Sequence, residues 1–133
     1  MELEELNKQR DEHIRGMKEA GKKLKAMIIP INGKYDIGTV FRCENILDDN
    51  MVQIIDCRAI STSKMDAHCH PISREYFLVV QGSIEVKTKK KNYILSKGEH
   101  IILKCNEEHS TRPLTLNTRI IAILIPPEEA YRR

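Results

Sequence analysis

Residues 68–82 read "HCHPISREYFLVVQG", two histidines one residue apart followed by a glutamate, an apolar run and a glycine. On an extended strand residues i and i+2 share a face, so His68 and His70 project together and Cys69 points the other way. Two imidazoles on one face can chelate a cation, but the pair alone fits an ordinary half-buried strand better. The residues that follow shift the balance. Pro71 ends the first segment and "PISR" supplies a turn. Glu75 opens the returning strand, with Phe77 and Val79 on its face and Tyr76, Leu78 and Val80 on the other. A carboxylate entering so apolar a strand is costly to bury unpaired, and a cation held by His68 and His70 supplies the partner. Gly82 permits the tight turn into "SIEV".

The spacing H-x-H, four residues, E, six residues, G resembles the first signature of the cupin superfamily at each named position from His68 to Gly82. Thr62 stands where that signature usually begins with glycine. The second signature is partly present: Gly98 opens it and His109 falls at its histidine. Lys104 replaces its proline, Asn106 its second glycine and Pro113 its terminal asparagine. Asparagine tolerates left-handed backbone better than most residues, so the turn at Asn106 can survive. The resemblance extends over residues 30 to 126.

It implies an all-β double-stranded β-helix, a small jelly-roll-like barrel with both signatures on facing strands. It further implies that His68, His70, Glu75 and His109 bind one divalent transition metal ion inside it. Three imidazoles and a carboxylate suit Fe, Mn, Ni, Co or Zn. On a metal that prefers six ligands, such a set leaves positions for water, dioxygen or a chelating substrate.

The rest of the chain is consistent with one such barrel. From Met27 onward come short β-like runs separated by turn signals: "MIIPI", "IGTVFRC", "MVQIIDCRAI", "EYFLVVQG", "SIEVKT", "NYILSKG", "HIILK" and "TRIIAILIPP". Strand-sized runs at this spacing, with no helical segment between them, predict a sandwich or barrel and disfavour a parallel α/β sheet. Pro126 and Pro127 end the last strand and leave a short charged tail. Residues 1–26 differ, with many Glu, Lys and Arg and few β-branched residues. Leu3, Leu6, Ile14, Met17, Gly21, Leu24 and Ile28 fall on one helical stripe interrupted by Arg10, which predicts a helical arm ahead of a single barrel domain at 27–133. The arm either packs on the body or a partner subunit, or stays a solvated, partly frayed helix.

Composition excludes several function classes. Apolar residues are 41% and charged residues 31% of 133, ordinary for one globular domain. The formal charge of +3 is small and its basic residues are scattered, which gives no footprint for nucleic acid. The lysine run "KTKKKN" (87–92) reads as a solvated hairpin turn. No apolar run is long enough for a membrane span. The charged N-terminus "MELEELNKQRDEHIRG" is no secretory signal, and Cys43, Cys57, Cys69 and Cys105 form no C-x-x-C pair, so reduced thiols in a cytoplasmic protein are expected.

Beyond the ligands, Phe77 and Val79 are expected to line the interior as an apolar part of a substrate site. Arg58 within "IIDCRAI" either receives a substrate carboxylate, pairs with Asp56 or reaches solvent. Arg112 and Arg119 are weaker versions of the same idea. Alternation turns Cys69 away from the ligands, and Cys105 lies in a loop that can face either side. A catalytic role for either thiol needs an electropositive setting that the sequence does not show, and His13 and His100 match no ligand position. The function expected is a metal-dependent enzyme on an oxygen-rich or chelating small molecule. The alternatives are a metal-dependent binding module and a structural barrel with vestigial histidines. A homodimer is expected because cupins often pair through their sheets and the arm is spare.

Overall fold

Ten antiparallel strands among the described residues, 2–132 of this computed structural model, make two facing sheets behind one long helix. Helix α1 (Leu3–Met27) leads into β1 (Ile28–Ile31), β2 (Lys34–Ile37), β3 (Phe41–Asp48) and β4 (Gln53–Ala59). Strands β5 (Arg74–Gln81), β6 (Ser83–Thr88), β7 (Asn92–Ser96), β8 (His100–Leu103), β9 (His109–Pro113) and β10 (Arg119–Ile125) follow, and a 3-10 turn at Glu129–Tyr131 closes the chain. The seven-stranded sheet runs β1-β2-β3-β4-β10-β5-β8 and the three-stranded sheet β7-β6-β9. This is the all-β barrel with a helical arm that the sequence predicts. No helix among the described residues is long and apolar enough to cross a membrane.

Period-two alternation builds the core. Ile55 and Cys57 of β4, Phe77 and Val79 of β5, and Ile120, Ala122 and Leu124 of β10 turn inward, against Ile84 and Val86 of β6 on the opposite sheet. The turns are where unusual backbone is needed. Asn32 and Gly33 both have positive φ (42° and 78°) in the two-residue β1–β2 hairpin, the geometry that favours Asn-Gly. Gly82, at φ 73°, is the single residue by which the chain passes from β5 in the large sheet to β6 in the small one. A Cβ there would sit 2.8 Å from Thr118 Cα, so only glycine fits. The lysine run forms the β6–β7 hairpin turn, closed by Thr88 N–H donating to Lys91 O at 2.9 Å.

Four details depart from the sequence reading. Strands β2 and β9 belong to no apolar run. Strand β3 begins at Phe41, after a turn at Gly38, and runs on to Asp48. His68 and His70 lie in an extended segment joined to β9 by one isolated bridge, His68 opposite His109, rather than on a full strand. The tail after the double proline is packed rather than free: Glu128 and Tyr131 are buried, and Asn45 Nδ2 donates to Tyr131 O at 2.9 Å.

Candidate metal centre

His68, His70, Glu75 and His109 are brought together between the two sheets, all at or below 5% exposure. The His68–His109 bridge carries reciprocal backbone bonds of 2.9 Å and sets the two imidazoles side by side, with ring centroids 4.5 Å apart. Asn106, left-handed at φ 62° as its place in the second signature requires, donates its backbone N–H to His70 O at 2.7 Å. That bond ties the two signature segments together beside the ligands.

The hydrogen bonds of the three rings decide what they offer. His68 Nδ1 donates to Asp66 O at 2.9 Å and His109 Nδ1 to Glu107 O at 2.9 Å. His70 Nδ1 donates to Glu128 Oε1 at 2.8 Å. Carbonyl and carboxylate oxygens only accept, so each proton is held at Nδ1 and the Nε2 lone pair of a neutral ring is left for a cation. One donor nitrogen from each of the three rings lies within 4.8 Å of the other two. Glu75 Oε1 sits 3.2 Å from both His70 Nε2 and His109 Nε2, yet none of these three buried atoms makes an aligned hydrogen bond.

The three atoms crowd one buried point without an aligned hydrogen bond, and Glu75 can pair with either ring only while that ring carries a second proton. Two ligand atoms held about 2.1 Å from one ion lie roughly 3.0–3.4 Å apart at octahedral to tetrahedral angles. The 3.2 Å spacings from Glu75 to His70 and His109 match ligands around a shared cation as well as a direct ion pair. The three histidines therefore fit a divalent metal, with Glu75 Oε1 beside two of them.

Burial and charge set the protonation of the metal-free group. Burial lowers His68, and the neighbouring His109 and His70 rings lower it further, to about 3. Burial also opposes charge on His70, but the Glu75 and Glu128 carboxylates outweigh it and raise that ring to about 9. For Glu75, burial favours the acid, yet His70 and His109 overcome it and hold the carboxyl well below the usual range.

Glu128 is the functional neighbour that the sequence reading missed. It follows the double proline, where the tail folds back over the end of the barrel. Its own backbone N–H donates to Oε1 of the fully buried Gln53 at 3.0 Å. Tyr131 from the same tail packs edge-on to His70, with centroids 5.5 Å apart, and stacks on Tyr35.

A cavity of about 20 Å³ adjoins the ligands, with His68, Glu75, Phe77, Met65, Cys57 and Tyr131 among its lining residues. That is room for about one water-sized molecule. Phe77 lines it, whereas Val79 is fully buried in the core and does not. Of the three readings of Arg58, the structure shows the pair with Asp56 and not a place in this cavity. Arg58 is an exposed neighbour of inward-facing Cys57, so alternation turns it outward, and its Nε lies 3.5 Å from Asp56. Arg119 also bonds Asp56, and Arg112 lies by Glu85, so neither enters the cavity. Cys69 is half-buried against Asn106, Cys105 is exposed, and His13 and His100 are exposed.

No family model and no curated protein matches the sequence. Solved structures match the fold. KdgF from Halomonas sp. aligns at TM-score 0.66 with 17% identity over 72% of this chain and 89% of that one. An RmlC-like cupin from Shewanella frigidimarina aligns at 0.63 with 14% identity, covering 79% and 87%. A double-stranded β-helix protein from Klebsiella pneumoniae aligns at 0.58 with 18% identity, covering 80% and 83%.

Proposed function

We propose that this chain, a cupin fold with a buried three-histidine cluster, is a divalent-metal-dependent enzyme acting on a small oxygen-rich or chelating molecule. One observation carries the reading: the Nδ1–H groups of His68, His70 and His109 are all committed to acceptors, while Nε2 of His70 and His109 and Oε1 of Glu75 converge to 3.2 Å contacts without an aligned hydrogen bond. A bound ion would supply Lewis acidity toward an oxygen donor. The chain's own part is to orient and to dry the site. Glu128 and two main-chain carbonyls fix the ring directions, and Phe41, Ile55, Phe77, Ile120 and Ala122 keep bulk water from the cavity.

The test is metal analysis of the purified chain, with Fe, Mn, Ni, Co and Zn offered in turn, followed by turnover assays on oxygenase, isomerase and lyase substrates. About one ion per chain is expected, lost on replacing His68 and His70 with alanine. Metal retained by that variant overturns the site. A second reading, metal-dependent binding or sensing without turnover, draws support from the small cavity, which leaves little room for a substrate without opening. Binding without turnover across the substrate set would select it.

A further inference from the structure

We propose that the N-terminal arm of one copy docks, through Leu3 and Leu6, in the Ile72–Ile102–Ile125 groove of a second copy. The inference is independent of the metal site and starts from the helix. At about 1.5 Å per residue, α1 is roughly 37 Å long, yet Leu24 is its one buried residue. Its C-terminal turns pack on β1 and the 3-10 turn, whereas residues 2–16 are exposed apart from half-buried Asn7. Leu3 is 73% and Leu6 47% exposed, on the same stripe that buries Leu24 further along. A helix half without packing is marginal in water, because helices draw most of their stability from a covered apolar face.

The same chain carries a second uncovered apolar surface. Ile102 of β8, Ile125 of β10 and Ile72, in the bend just before β5, are each about half exposed around a groove of about 590 Å³. Register sets the two strand isoleucines on either side of β5, Ile125 opposite Arg74 and Ile102 opposite Tyr76. Three half-exposed isoleucines around one groove give apolar side chains of a partner a place to dock. The rim is basic, from Arg74 and Lys104, and neither has a carboxylate within ion-pair distance among the described residues.

Charge selects the occupant. Residues 2–14 carry five carboxylates (Glu2, Glu4, Glu5, Asp11 and Glu12) against Lys8 and Arg10. Three of the five flank Leu3 and Leu6 directly, so the arm presents two apolar anchors between acidic neighbours to an apolar groove with a basic rim. The chain leaves its own arm and groove uncovered, so the occupant is the arm of another copy. Reciprocal docking gives two equivalent contacts in a twofold dimer.

Sedimentation of the full chain across micromolar concentrations, at low and high salt, tests this. A dimer that weakens with salt is expected. L3E/L6E and R74E/K104E should each weaken it by at least about tenfold. Combining R74E/K104E with E4K/E5K should restore much of the loss, because the charges are then exchanged rather than removed. Thermal melts by circular dichroism verify that these exposed substitutions leave the barrel folded. A monomeric wild type overturns the proposal. So does a dimer indifferent to L3E/L6E, which would mark sheet-on-sheet pairing, and so does a charge exchange without recovery.

Discussion

Glu128 Oε1 accepts from His70 Nδ1 at 2.8 Å across fifty-eight positions of sequence, and both groups are buried. The carboxylate does for His70 what main-chain carbonyls do for His68 and His109: it fixes the ring and its proton. It also adds charge, which makes the ring a stronger donor to a cation.

The first prediction follows from that difference. Glu128→Ala should lower metal affinity about 10- to 100-fold, the usual cost of losing an outer partner of a ligating imidazole. Glu128→Gln, which keeps an acceptor oxygen but not the charge, should lose less. Chelator competition measures both. Equal affinity in all three proteins would sink the role given to Glu128.

How much of this site was open to a reading of residues depends on what carries each contact. Local spacing places His68, His70, Glu75 and Phe77, because alternation and one turn fix their faces within a single segment. His109 came only through resemblance to a known pattern. Glu128 and Tyr131 were hidden, since "PPEEAYRR" has the composition of a solvated tail and nothing local shows that Gln53 and Asn45 hold it down. Strands β2 ("KYDI") and β9 ("HSTRP") were missed for a related reason. Both are buried with polar residues that other elements cover, so neither shows apolar alternation. Arg58 resolves to the pairing with Asp56 that its sequence neighbour offered, and parity with inward-facing Cys57 turns it outward.

Protons compete with metal at His70. In the metal-free protein this ring is raised to about 9, because Glu75 and Glu128 outweigh the burial that opposes its charge. A metal ligand must give up the proton on Nε2. Affinity should therefore rise from pH 6.5 to about 9, and binding near pH 7.5 should release about one proton. Titration calorimetry in two buffers of different ionisation enthalpy reads that number directly. No proton release would contradict a charged His70.

The stability of the metal-free protein should peak near neutral pH. Burial, with the His109 and His70 rings, holds His68 at about 3, below the 6.5 of an unfolded histidine. Its contribution is complete above 6.5 and is lost as pH falls, because the unfolded chain takes up a proton that folded His68 refuses. His70 has the opposite sign: its contribution is complete below 6.5 and disappears as pH rises through about 9. Glu75, held low despite its burial, adds a further loss on the acid side, below the usual carboxylate range. Urea melts of chelator-treated protein should give a maximum near pH 6.5, and saturating metal should move it upward. A monotonic profile between pH 5 and 9 would show that the buried cluster does not govern stability.

Two glycines of the signature pattern should differ sharply on substitution. Gly82 and Gly98 both have positive φ, 73° and 87°, so alanine at either position incurs about 1–2 kcal/mol of left-handed strain. Around Gly98 there is open space for a methyl group. At Gly82 the added Cβ would meet Thr118 Cα at 2.8 Å and Thr115 Oγ1 at 2.9 Å, and Thr118 is pinned by its hydroxyl to Ser83 O. Backbone cannot yield there without moving the crossing from β5 to β6, which carries Glu75 and Phe77 on one side and Val86 on the other. Gly82→Ala should thus cost about 2–4 kcal/mol in denaturant melts, roughly twice the cost of Gly98→Ala. It should also weaken metal binding, because Glu75 rides on the displaced strand. Equal costs at the two positions would show that backbone conformation alone, rather than the close approach of Thr118, keeps glycine at 82.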